Sequence, residues 1–318
     1  MLPAREFPPL VREKMTFLAR HVNEYNTLFL GSSRMQAHVM PTVFDRDVAD
    51  HDIHSFNAGV AGMYPPQDGW MLDQILALKP AKLRWVFVEL QMLETTLPRT
   101  NRDSMQLLSW HDWPRYLLLC ERWLTTHPHR HWRDRVEEFT DRWPDFCAHT
   151  VLFIRYYTDL GRGSALLQRR IHPESAPVND WTLLGPDGDG FLPAVHALTK
   201  SEFAGLEGDM AKRRKSPPVR ESADPISRQA LASIVAKIRR AGATPVLVVP
   251  PTARGTYFAP APKTSPGLIV LDFGQPQKYP ELYDTKYRVD PSHLNAAGAV
   301  IFSHLLAAEF LKAVGTSP

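Results

Sequence analysis

Three short, strongly apolar runs set the strongest constraint on the fold of this chain: Thr27–Leu30, Trp85–Leu90 and Pro245–Val249. Each is too short for a core helix and too continuously apolar for a strand with one wet face, so each reads as a strand buried on both sides, the signature of a parallel sheet. Ile53–Phe56 and Leu268–Leu271 are weaker candidates of the same kind. Helical patterns lie between them. Met71, Leu72, Ile75 and Leu76 follow the Pro65–Pro66 pair at helical spacing, and Leu231, Ile234, Val235 and Ile238 form an i, i+3, i+4, i+7 stripe that stops at Gly242. Asn295 caps a final apolar helix. Strands alternating with helices imply βαβ units. The expected fold is therefore α/β, a three-layer, five-stranded, flavodoxin-like parallel sheet.

The stretch 98–224 breaks this rhythm and holds six of the eight tryptophans: Trp110, Trp113, Trp123, Trp132, Trp143 and Trp181. Helical periodicity is visible over Arg115–Leu124 and Arg133–Arg142, Pro173–Pro193 is loop-like, and the basic run 211–222 reads as an exposed linker. The whole chain is taken as a single domain, with 98–224 as a mostly helical insertion expected to wall the carboxyl edge of the sheet, where its tryptophans find a surface to bury against.

Composition narrows the function classes. In 318 residues, 37 Lys and Arg are scattered among 34 acids, so the net charge of +3 gives no footprint for nucleic acid. Cys120 and Cys147 cannot form a disulfide framework. No apolar run approaches the roughly 18 residues that would span a bilayer, and charges interrupt the first twenty residues too often for a signal peptide, so a cytoplasmic protein is expected. Alternating His127, His129 and His131 would share a face only in a strand, and no acid or cysteine completes a ligand set, so no metal is assigned.

Two segments carry chemistry. In LFLGSSRM (28–35) an apolar strand runs into Gly31, Ser32 and Ser33 at a bend, where a hydroxyl can stand beside free backbone N–H groups. In DPSHLNAAGA (290–299), Asp290 and His293 can meet on one tight turn before the last helix. There the carboxylate would fix the imidazole tautomer and leave Nε2 to take a serine proton.

The combination resembles the SGNH (GDSL-like) hydrolases, in a divergent form with a G-S-S-R first block and a D-x-x-H-L-N last block. FNAGVAG (56–62), LRWVFVELQMLE (83–94) and VLVVPPT (246–252) are similar to the blocks between, so the resemblance covers roughly 27–95 and 226–313. It implies Ser33 as nucleophile, with Ser32 in place of the family's aspartate. It also implies Asp290 and His293 as partners, backbone N–H groups of Ser33 and Gly62 as oxyanion donors, and no cofactor. The family's third block carries an asparagine whose amide is a further oxyanion donor. Here the segment is Gln91-Met92-Leu93-Glu94, which leaves Gln91 as the candidate substitute. Arg34 either meets an acidic group of the substrate or makes a structural ion pair. The implied activity is ester hydrolysis or O-acyl transfer on a small-molecule or polymer-borne ester. The alternative is a degenerate SGNH fold that binds an acyl or carbohydrate ligand without turnover.

Overall fold

The computed structural model describes residues 7–97, 105–125, 131–158, 181–195, 198–215, 220–221, 224–253, 257–258 and 267–315. Two compact units divide the chain: Met1–Arg12 with Leu93–Asp180, and Glu13–Met92 with Trp181–Pro318.

The second unit is a three-layer α/β structure. Its central sheet holds β1 (Thr27–Leu30), β2 (Ser55–Asn57), β3 (Trp85–Glu89), β4 (Thr244–Val249) and β5 (Ile269–Asp272). All neighbours run parallel, in the order β2-β1-β3-β4-β5. Register places Phe29 beside Phe87 and Phe87 beside Val246, so these side chains share one face. That face packs on Phe44, Phe302, Leu306 and Phe310 in one continuous core. The intervening Leu28, Leu30, Val86 and Val88 are buried as well, which is why these strands read as unbroken apolar runs rather than alternating ones.

Helices α1 (Pro9–His21), α2 (Ser33–His38), α3 (Pro41–Asp47), α4 (Gln67–Ala77), α5 (Lys200–Lys215), α6 (Pro225–Arg240) and α7 (Ala296–Gly315) complete this unit, with α1 starting in the other one. The start of α6 is fixed locally: Asp224 Oδ1 accepts from the N–H groups of Ile226 and Ser227, and Pro225 occupies the first helical position. The basic run 211–222 is not simply a linker, because its first five residues close α5, where Arg213 is buried.

By length and a mean hydropathy of 1.5, α7 is the one described helix that meets the requirement for crossing a bilayer. This corrects the expectation that no apolar run approaches that length. The cause lies in the core: Phe302, Leu306 and Phe310 bury fully against the sheet, each contributing about 1.5–3 kcal/mol. Small residues fill much of the rest of the helix, and only Glu309 and Lys312 carry a full charge.

In the first unit two helices, Trp113–Leu124 and Trp132–Thr158, form an antiparallel hairpin. Trp123 stacks on Phe146 at 4.2 Å and meets Phe139 at the same distance in a tilted contact, and Tyr116 stacks on Phe153 at 4.1 Å. The second helix runs on through Pro144, well past Arg142 where its sequence pattern stops. A proline inside a helix costs about 3 kcal/mol, and ring contacts to Trp123 lie on both sides of Pro144, at Phe139 and Phe146. Leu97, Leu107, Leu108 and Leu152 form a small separate core.

Candidate functional site

The site begins where β1 ends. Gly31 has φ +155°, and a Cβ there would lie 2.5 Å from Glu89 Cβ and 2.6 Å from Met35 Cγ. Glycine is therefore required both by conformation and by the closeness of β3. Ser32 is the N-cap of α2: its hydroxyl accepts from Arg34 N–H, and its own N–H donates to Glu89 Oε2 at 2.7 Å. Its side chain is thus engaged and buried. Ser33, the next residue, opens α2 with its hydroxyl directed elsewhere, 2.7 Å from His293 Nε2.

Glu89, at the end of β3, is the residue that fixes this turn, and sequence reasoning gave it no role. Its buried carboxylate also pairs with Arg34 Nε at 2.6 Å. Of the two readings of Arg34, the structural ion pair is present. Its guanidinium also donates through Nη2 to Gln91 Oε1 at 3.3 Å, while Gln91 Nε2 stands 3.5 Å from Met63 O. Gln91 therefore bridges the serine turn and the residue after Gly62. Glu89 is fully buried while the Arg34 side chain is 21% exposed, so losing the carboxylate strands a charge that water partly reaches and costs less than the roughly 3–5 kcal/mol typical of a fully buried pair.

The loop after β2 is stitched to the same turn. Asn57, fully buried, donates to Met35 O (2.8 Å) and Val39 O (2.7 Å), and accepts from Gly59 N–H (3.0 Å). Val60 N–H donates to Gly31 O at 2.9 Å, and Ala61 N–H to Gln36 Oε1 at 2.7 Å. Beneath the loop the fully buried Lys14 ammonium donates to the carbonyls of Asn57 (2.7 Å), Gly59 (2.6 Å) and Gly190 (2.8 Å). Burial pulls its pKa down to about 7, against the attraction of Asp189. Gly62 stands at the exposed end of this loop with φ +72°. Among the described residues, no hydrogen bond from the Ser33 or Gly62 N–H is found.

The imidazole is held from the opposite end of the chain. Asp290 Oδ1 accepts from the N–H groups of Ser292 (2.6 Å) and His293 (2.9 Å), and Oδ2 accepts from His293 Nδ1–H at 2.7 Å. Burial works to raise the Asp290 pKa, but these hydrogen bonds and the neighbouring imidazole outweigh it and hold the carboxyl down at about 2. Asp290 on the Nδ1 side leaves Nε2 free to accept from Ser33. Two further residues that the sequence did not single out steady this turn. Arg288, buried, donates to Leu282 O, Pro291 O and Pro251 O at 2.9, 3.0 and 3.3 Å. His38 Nε2 accepts from Leu294 N–H at 3.0 Å, and burial, with the charges of His293, Arg288 and Arg34, keeps its pKa well below the usual histidine value, so it is neutral.

The structure thus brings together Ser33, His293 and Asp290, and links Arg34 to Gln91. Buried charges look like surface charges in a sequence, so Lys14, Glu89 and Arg288 had no signal by which to be found. Among the described residues no group of three or more His, Cys, Asp or Glu side chains is arranged to hold a metal ion, and His127 and His129 lie outside those residues. No protein-family model and no curated protein matches this chain.

Proposed function

We propose that this protein is a serine-dependent ester hydrolase or O-acyltransferase, an SGNH-type α/β enzyme working through an acyl-Ser33 intermediate. The observation that carries the reading is the relay of two 2.7 Å contacts, Ser33 Oγ to His293 Nε2 and His293 Nδ1 to Asp290 Oδ2. The strand order, numbered along the chain as 2-1-3-4-5, supports it, since ligands of such sheets bind beyond the carboxyl ends of the strands and Ser33 follows the end of β1.

In this reading His293 takes the Ser33 proton as the hydroxyl attacks an ester carbonyl, then returns a proton to the leaving alkoxide. Asp290 orients the ring and stabilises the imidazolium. The N–H groups of Ser33 and Gly62 receive the oxyanion. Water, or the hydroxyl of an acceptor, then releases the acyl group, and the chemistry calls for no cofactor. The substrate is an ester on a small molecule or a polymer.

One observation favours a second reading, a binding protein of the same fold that retains an acyl or carbohydrate ligand without turnover. The third-block asparagine is absent, and the amide of Gln91 is drawn toward Arg34 and Met63 O rather than left free as a donor. A fluorophosphonate probe separates the two, since it labels only an activated serine. Labelling is expected in the native chain and in Ser32→Ala and is expected to vanish in Ser33→Ala. An unlabelled native chain would establish the binding reading, and loss of label in Ser32→Ala alone would overturn the assignment of Ser33.

A further inference from the structure

Among the described residues, the helical hairpin leaves one broad apolar face exposed. On its first helix Trp113, Leu117 and Leu124 are 54%, 49% and 64% exposed, and on its second Val136, Trp143 and Ile154 are 53%, 49% and 43% exposed. These positions form one face. Tyr116 and Trp123 point from the first helix toward Phe139, Phe146 and Phe153 of the second. Leu117 and Leu124 follow the first pair by one residue, and Ile154 follows Phe153 by one, a turn of about 100° in each helix. In antiparallel helices that turn leads to the same side. Trp132 extends the face at the start of the second helix, 57% exposed.

We propose that this face is the interface of a homodimer, in which two hairpins pack isologously into a four-helix arrangement. The seven side chains expose on the order of 750 Å², about what one partner contributes to a standard specific interface and more than the largest patch on a typical monomer. Composition agrees. From Leu93 to Asp180 there are twelve arginines and no lysine, although eleven lysines occur elsewhere in the chain. Interfaces between proteins are enriched in tryptophan, tyrosine and arginine and depleted in lysine. Charge speaks against a lipid surface as the occupant. Between Asp112 and Thr158 seven arginines meet seven carboxylates, so the hairpin has no net attraction to anionic headgroups, while a neutral face can meet its own copy without repulsion. This inference is independent of the proposed chemistry at Ser33.

Sedimentation of the full chain tests it. The native protein is expected to run at twice 36.1 kDa at low micromolar concentration. The double substitution Leu117→Glu/Ile154→Glu should weaken association at least about 100-fold, with an unchanged far-ultraviolet circular dichroism spectrum. A mass of 36.1 kDa up to about 100 μM, or a dimer indifferent to the double substitution, would overturn the proposal. So would a monomer that floats with vesicles of phosphatidylcholine and phosphatidylglycerol, which would assign the face to lipid. Should the charged variant fail to fold, Cys147 gives the answer without a charge. It follows Phe146 by one residue midway along the second helix, on the side of the proposed interface, within reach of its copy across an isologous contact. A bis-maleimide should convert Cys120→Ser protein to a covalent dimer, and its failure at concentrations where the native chain should be dimeric refutes the interface.

Discussion

The sheet unit and the helical unit solve burial in opposite ways. Beside Ser33 the sheet unit buries full charges and points each at the backbone: Lys14 at three carbonyls, Glu89 at Ser32 N–H, Arg288 at three carbonyls. The hairpin uses rings instead, stacked between its helices, and leaves a second apolar surface in water. Buried ionic contacts fix atoms to within tenths of an ångström because each has a direction and a heavy penalty for loss. Ring packing tolerates sliding and substitution. The difference separates a region that holds a geometry from one that offers a surface.

The comparison breaks most visibly at the serine. If Ser33 is the nucleophile, Ser33→Ala should lower kcat for an ester substrate by about 10⁴-fold or more, and the Ser33→Ala/His293→Ala double variant should be scarcely slower than either single one, as for residues that act as a unit. Multiplying losses in steady-state assays would show that His293 serves another role.

Next comes Glu89→Gln, which removes the charge opposite Arg34 while keeping the shape. Chemical denaturation should report a loss of about 1.5–3 kcal/mol, since Arg34 is partly reached by water. A loss under 1 kcal/mol would mean that the serine turn does not depend on that carboxylate.

Lys14→Met should cost about 2–3 kcal/mol by stranding carbonyls, and it carries a pH signature. In the folded chain Lys14 titrates near 7, against an ordinary 10.5. The unfolded chain therefore holds the extra proton between those values, and stability should rise with pH across that window. Lys14→Met should flatten the rise, and an identical pH profile in both proteins would refute the shift.

The smallest effect belongs to the hairpin. Leu124→Ser, at an exposed position, should change folding stability by no more than about 0.5 kcal/mol in the dilute protein. A loss of several kcal/mol there would erase the contrast between the units.

What the sequence made legible follows the same division. The strands were readable because burial on both faces leaves an unbroken apolar run, and β1, β3 and β4 lie within a residue of their expected bounds. Ser33, Asp290 and His293 were singled out by the resemblance of their two blocks to those of the SGNH hydrolases, because a bend and a tight turn taken alone fit a structural role as well. Glu89 was not, since a glutamate ending an apolar strand is ordinarily read as its solvated edge. Lys14 was hidden for a related reason: it sits in a charge-punctuated helix, and its partners lie far along the chain. The helix beyond Arg142 was missed for a third reason, because past that residue it is held by ring contacts to another helix rather than by a local pattern.

Those distant partners of Lys14 bear on how the protein is made. Gly190, whose carbonyl completes the ammonium's shell, follows Lys14 by 176 positions. At translation rates of about 5–20 residues per second, the nascent chain carries an unfinished lysine pocket for on the order of ten seconds or more. The loop that reaches Gly62 stays without its full support throughout that interval. A ribosome-bound chain arrested before Gly190 should therefore be digested by protease at residues 57–62, and one arrested well past Gly190 should resist.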